Sequence, residues 1–109
     1  MANTHSATFD GTGDYATKAS PTGLPSGSAA RTVEFWVKTS ITTEQSCVTY
    51  GSDSALVGWE FQIINNQIAI RIEGGNQFWT ATNVNDGTWH HVAVSYVAGA
   101  NINSTTDIK

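Results

Sequence analysis

Asn85-Asp86-Gly87-Thr88-Trp89-His90-His91-Val92-Ala93-Val94-Ser95-Tyr96 is the stretch that decides the fold class. Its first three residues suit a tight turn, because Gly and Asx residues tolerate positive φ. The residues after it alternate, and Trp, Val and Tyr suit a pleated, half-buried surface. The run predicts a turn that leads straight into a strand over 89–96.

The same period of two extends outward through most of the chain, and no segment carries a convincing helical period. Val57, Trp59, Phe61 and Ile63 share one face, with Gly58, Glu60 and Gln62 opposite. Asn65-Asn66 makes a turn, and Ile68, Ile70 and Ile72 form the next apolar face, opposite Ala69 and Arg71. Gly74-Gly75-Asn76 turns again into a strand over 77–82. Earlier in the chain, Val33, Phe35 and Val37 alternate with Thr32, Glu34, Trp36 and Lys38 in a strand over 31–39, and a shorter strand follows at 46–50. Residues 20–30 hold two Pro and two Gly and read as a loop. Residues 7–9 and 15–17 flank the Gly-rich turn 10–14 and bring the expected total to seven or eight short strands. Such strands, each with one apolar face, argue for an all-β, antiparallel two-sheet jelly-roll sandwich.

Composition narrows the function. The chain has 109 residues, enough for one domain with a modest core. Only 13% of residues are charged, the net charge is −4, and the five Lys and Arg are scattered. Nucleic acid is not an expected partner, because phosphate contacts need a clustered basic face. No apolar run approaches the length of a membrane span, and no secretory signal is seen at the start. The single cysteine, Cys47, excludes an internal disulfide and reads as a small buried hydrophobe.

Three stretches together resemble the laminin-G-like, or concanavalin A-like, lectin/glucanase superfamily. They are residues 85–96, Phe9-Asp10-Gly11-Thr12-Gly13-Asp14-Tyr15, and Thr32-Val33-Glu34-Phe35-Trp36-Val37-Lys38. The resemblance implies one laminin-G-like jelly roll over 1–109, short of the family's usual last strands. It implies a domain that binds a glycan or a glycoprotein surface outside the cell or on a virion. It also implies that Trp89 is a core residue. Unmatched last strands would leave an edge free to pair with another chain. A homo-oligomer, or strand-sharing with another chain, is therefore expected.

Candidate ligands follow from residue chemistry. Sugars present C–H faces that pack on aromatic rings, while Asn, Gln, Asp and Arg bond the hydroxyls. Trp79 follows the 74–77 turn, so Trp79 with Asn76, Gln77 and Arg71 is the expected sugar-contact patch, each with a structural role as the rival reading. Trp36 shares a face with Glu34 and Lys38 and is a further candidate, whereas Trp59 lies on an apolar face and is expected in the core. Asp10 and Asp14 straddle a Gly-rich turn. They are candidate calcium ligands in the resembling family, and the preferred alternative is that they simply make Asx-turn hydrogen bonds. Asp53 is a weaker candidate ligand.

His90 and His91 are adjacent on a strand, so they point to opposite faces and do not chelate one metal. Glycosidases need two carboxylates flanking the scissile bond. Glu34 and Glu60 stand on separate strands without a second acid, so no enzyme is expected. The leading function is a non-catalytic carbohydrate-binding or adhesion module. The alternative is a structural subunit of a virion, tail fibre or filament that pairs through its strand edge.

Overall fold

A computed structural model describes residues 4–25, 29–51, 58–72 and 77–98. Six strands are seen among them: β1 (Arg31–Val37), β2 (Gln45–Tyr50), β3 (Trp59–Ile64), β4 (Gln67–Ile72), β5 (Gln77–Asn83) and β6 (His90–Tyr96). They form two antiparallel sheets, and no helix is seen among the described residues. One sheet has the order β2-β3-β4-β5, and the other pairs β1 with β6.

The sheets meet through their apolar faces. Trp59, Phe61 and Ile63 from β3, and Ile68, Ile70 and Ile72 from β4, pack with Val92, Val94 and Tyr96 from β6. Val33, Phe35 and Val37 of β1 join them, as do Cys47, Val48 and Tyr50 of β2. The alternation read in the sequence is the alternation of this core. Each such side chain removed from water contributes about 1.5–3 kcal/mol relative to exposure.

The β3–β4 hairpin turns on Asn65 and Asn66, with φ of 50° and 71°. Both lie in the left-handed region that a two-residue hairpin turn demands and that Asn tolerates. Asn66 also ties the hairpin to the start of the next turn. Its carbonyl accepts from Val84 N at 2.8 Å, and its Oδ1 accepts from Asn85 Nδ2 at 2.7 Å.

The run that opens at Asn85 is stapled by one carboxylate. Asp86 Oδ1 accepts from Thr88 N at 2.9 Å, Thr88 Oγ1 at 2.7 Å and His90 Nε2 at 2.9 Å. Gly87 has φ of 76° and donates its N–H to Thr39 O at 2.8 Å, which ties the turn to the chain just beyond β1.

One end of the core holds a cation. Arg31 is 7% exposed, and its guanidinium lies 4.3 Å from the ring centroid of Trp59, with Tyr50 and Tyr96 at 5.9 and 5.8 Å. Nε and Nη2 donate to Ala29 O, and Nη1 donates to Tyr50 OH. Arg31 sits in phase with Val33, Phe35 and Val37, so the inward face of β1 begins with a charge enclosed by rings.

Two expectations are corrected. Residues 7–9 and 15–17 are not strands: no hydrogen-bonded ladder includes them, and Phe9 and Tyr15 are exposed. Six strands therefore replace the expected seven or eight among the described residues. Trp89 is not core. It precedes β6 in the same phase as His91, which faces outward, and it is 52% exposed. Cys47 is half-buried, at the point where the β2–β3 register shifts between Ser46 and Val48, and burial pushes its thiol up to about 11.

Candidate functional site

The outer face of the four-stranded sheet gathers the polar residues left over by the core. The register aligns them in rows. One row runs Ser46, Gln62, Ala69, Trp79 across the four strands, and the next runs Thr49, Glu60, Arg71, Gln77. Cross-strand neighbours stand about 4.5–5.5 Å apart at Cβ, so each residue in a row touches the reach of the next.

Trp79 is 44% exposed, an unusual position for so large an apolar ring on a regular strand. Beside it Ala69 is fully buried and Gln62 nearly so. Gln62 Nε2 donates to Glu44 Oε1 at 2.8 Å, which fixes the floor of this face. In the adjacent row Arg71 Nη1 donates to Glu60 Oε2 at 3.3 Å. The pair is exposed on the Arg71 side, so it contributes little to stability. It does hold a guanidinium against a carboxylate, one row from an indole. That set can stack on a sugar ring and bond its hydroxyls.

The expected patch is thus brought together in part. Arg71 and Trp79 share the outer face, and Gln77 pairs with Arg71 in the ladder. Asn76 lies outside the described residues, as does Asp53. The sequence reading did not count Glu60 and Gln62, on β3 two strands from Trp79, among the residues of this face. Their parity with Arg71 and Ala69 across the Asn65-Asn66 turn was the signal for them.

Trp36 belongs elsewhere. It stands on the outer face of the β1–β6 pair, 60% exposed, on the opposite side of the sandwich from Trp79. Its ring centroid is 5.0 Å from that of His91, the residue directly across the ladder. His91 Nε2 lies 3.6 Å from Glu34 Oε2 on the same face. His90 and His91 face opposite ways, with His90 turned to the Asp86 staple.

The Asp10–Asp14 turn uses its carboxylates internally. Asp10 Oδ1 accepts from Thr12 N at 2.7 Å, and Asp14 Oδ2 accepts from Asp10 N at 3.0 Å. These are the Asx-type bonds of a self-supporting turn. Calcium takes six to eight oxygen ligands. Among the described residues, no group of three or more His, Cys, Asp or Glu side chains gathers to hold a metal ion. Two carboxylates would need backbone carbonyls, water or residues outside the described segments to complete such a site.

Comparison with known proteins gives one match. A laminin G family model, described as Concanavalin A-like lectin/glucanases superfamily, matches residues 10–106. No curated protein and no solved structure matches the chain.

Proposed function

The chain belongs to the concanavalin A-like lectin/glucanases superfamily, and from that premise we propose that it is a non-catalytic carbohydrate-binding module acting outside the cell, where glycans are displayed. The outer face of the four-stranded sheet is its contact surface. Trp79 stacks on the C–H face of a sugar ring, and Arg71 and Glu60 bond the hydroxyls around it. The half-exposed Trp79 on the same face as the Arg71–Glu60 pair is the observation that carries this reading.

Two of the acids, Glu60 and Glu34, do not form a catalytic pair in this reading. Glu60 is engaged by Arg71 on the outer face of one sheet, and Glu34 is on the outer face of the other. Facing sheets are about 10 Å apart before outward side chains are added, so these two carboxylates do not flank one bond. Calcium has no step in the mechanism, because the Asp10–Asp14 turn is closed by its own hydrogen bonds. The net charge of −4 favours neutral over anionic glycans.

A glycan array on the purified chain, run with calcium and again with EDTA, tests the proposal. Binding to neutral glycans in both conditions, with a weaker signal from Trp79→Ala, is the expected result. Binding that Trp79→Ala leaves unchanged would remove this face from the mechanism.

A second reading has its own observation. The β1–β6 sheet has only two strands among the described residues, opposite four. A structural subunit that shares strands with another copy would use such an edge. Light scattering decides it: a stable oligomer without sugar favours assembly, and a monomer favours the binding module.

A further inference from the structure

Two large indoles are exposed away from the Trp79 face. Trp36 and Trp89 are 60% and 52% exposed. Trp36 lies on the outer face of the β1–β6 pair, directly across the ladder from His91, and Trp89 precedes β6 in the same phase as His91. Down the same face, β1 presents Thr32, Glu34 and Trp36, and β6 presents Ser95, Ala93 and His91. Monomeric surfaces seldom leave so much aromatic area together without a use.

We propose that this outer face of the β1–β6 pair is a second contact surface for neutral carbohydrate, so that one copy of the chain grips glycan on both sides of the sandwich. It rests on the carbohydrate-binding reading above and adds to it a site and a valency. The Trp36 ring is held at a 5.0 Å centroid distance and a 35° tilt against His91. His91 is in turn held beside Glu34 at 3.6 Å. A ring fixed in advance loses little freedom on binding. Ala93, opposite Glu34, is too short to cover that carboxylate, which stays two-thirds exposed. Beyond it Thr32 and Ser95 share a hydroxyl hydrogen bond at 3.2 Å. The strip runs from indole through imidazole and carboxylate to hydroxyls.

That mixture selects the occupant. A protein surface docked here would bury Glu34 and His91, which is unfavourable unless the partner supplies matched charges. Sugar hydroxyls donate and accept, so they satisfy the carboxylate and the imidazole, while a C–H face covers the indole. Glu34 and Lys38, in one phase with Trp36, offset each other in formal charge, so neutral sugars are the class that fits. Because the two outer faces point apart, binding at both gives bridging rather than a longer single site, and bridging multiplies weak affinities.

The test uses the full chain with Trp36→Ala, Trp36→Tyr, Trp79→Ala and the double Ala variant. Each is checked for folding by circular dichroism and for mass by light scattering. The probes are neutral glucan, mannan, galactan and xylan oligosaccharides in calorimetric titration, and beads coated with the same glycans. The expected result is a monomer with two sites per chain that clumps the beads. Either single Ala variant retains one site and stops clumping, Trp36→Tyr keeps both sites, and the double variant binds nothing. Two sites and full clumping in Trp36→Ala would overturn the proposal. So would a single wild-type site that Trp79→Ala abolishes, which leaves the Trp79 reading intact. A wild-type dimer that Trp36→Ala splits, with sugar per chain unchanged, would make the face a self-contact and overturn it too. No binding by the wild-type chain would end both readings.

Discussion

Arg31 lies over the indole of Trp59, its Cζ 4.3 Å from the ring centroid, at one end of an otherwise apolar core. The guanidinium is weakly hydrated and planar, so it can be enclosed by rings at a cost that a compact ammonium would not tolerate. Arg31→Lys should therefore lower stability by about 2 kcal/mol, from the lost stacking and the lost hydrogen bonds to Ala29 and Tyr50. The urea midpoint should fall with an unchanged slope. An unchanged midpoint would show that charge alone, not the planar fork, is what this end of the core needs.

The Asn66 turn separates backbone strain from side-chain bonding. Asn66→Gly keeps the left-handed φ and loses only the bond from Asn85, so it should cost about 1 kcal/mol. Asn66→Ala adds the strain of a β-carbon at φ 71° and should cost about 2 kcal/mol. Equal thermal midpoints for the two variants would contradict this account of the hairpin.

Asp86 makes stability depend on acid. Its carboxyl is held well below the usual Asp range, first by the hydrogen bond from His90 and then by those from the Thr88 hydroxyl and amide. A depressed folded-state pKa means that the carboxylate's contribution is complete above the unfolded value of about 3.9 and fades as the pH falls below it. Urea midpoints of the wild type and Asp86→Asn should differ near neutral pH and converge below the ordinary Asp range. A gap that stays constant down to strong acid would show that the charge on Asp86 is irrelevant to the staple.

Calcium should matter little. With Asp10 and Asp14 bonded to amides of their own turn, the thermal midpoint in calcium should match that in EDTA within error. A rise of several degrees in calcium would return this turn to the list of metal sites.

The legible part of the fold was the part with strict alternation and Asx or Gly turns. The β3–β4 hairpin is the clearest case: two in-phase apolar triplets around Asn65-Asn66 leave one register that buries both. Trp89 shows the opposite. The family resemblance sent it inward, although parity with His91 sends it outward, where it is found. Arg31 was also in phase with Val33, Phe35 and Val37, but a charge at the head of an apolar face gives no sign that Tyr50, Trp59 and Tyr96 will enclose it. That Trp36 and Trp79 lie on opposite sides of the sandwich is not legible in the sequence, because periodicity fixes which face of a strand a residue occupies but not which sheet the strand joins. Residues 7–9 and 15–17 have strand composition but no ladder, since pairing depends on a partner edge that local sequence does not specify.

The central claim is that Trp79 touches sugar, and the NMR signals of the indole N–H groups test it most directly. A neutral oligosaccharide chosen from the array is titrated into the labelled chain, with Trp79→Ala to assign the signal. The account predicts that the Trp79 indole shifts progressively with ligand while the buried Trp59 indole stays still. A glycan that binds, as followed by calorimetry, and leaves the Trp79 signal unmoved would contradict it.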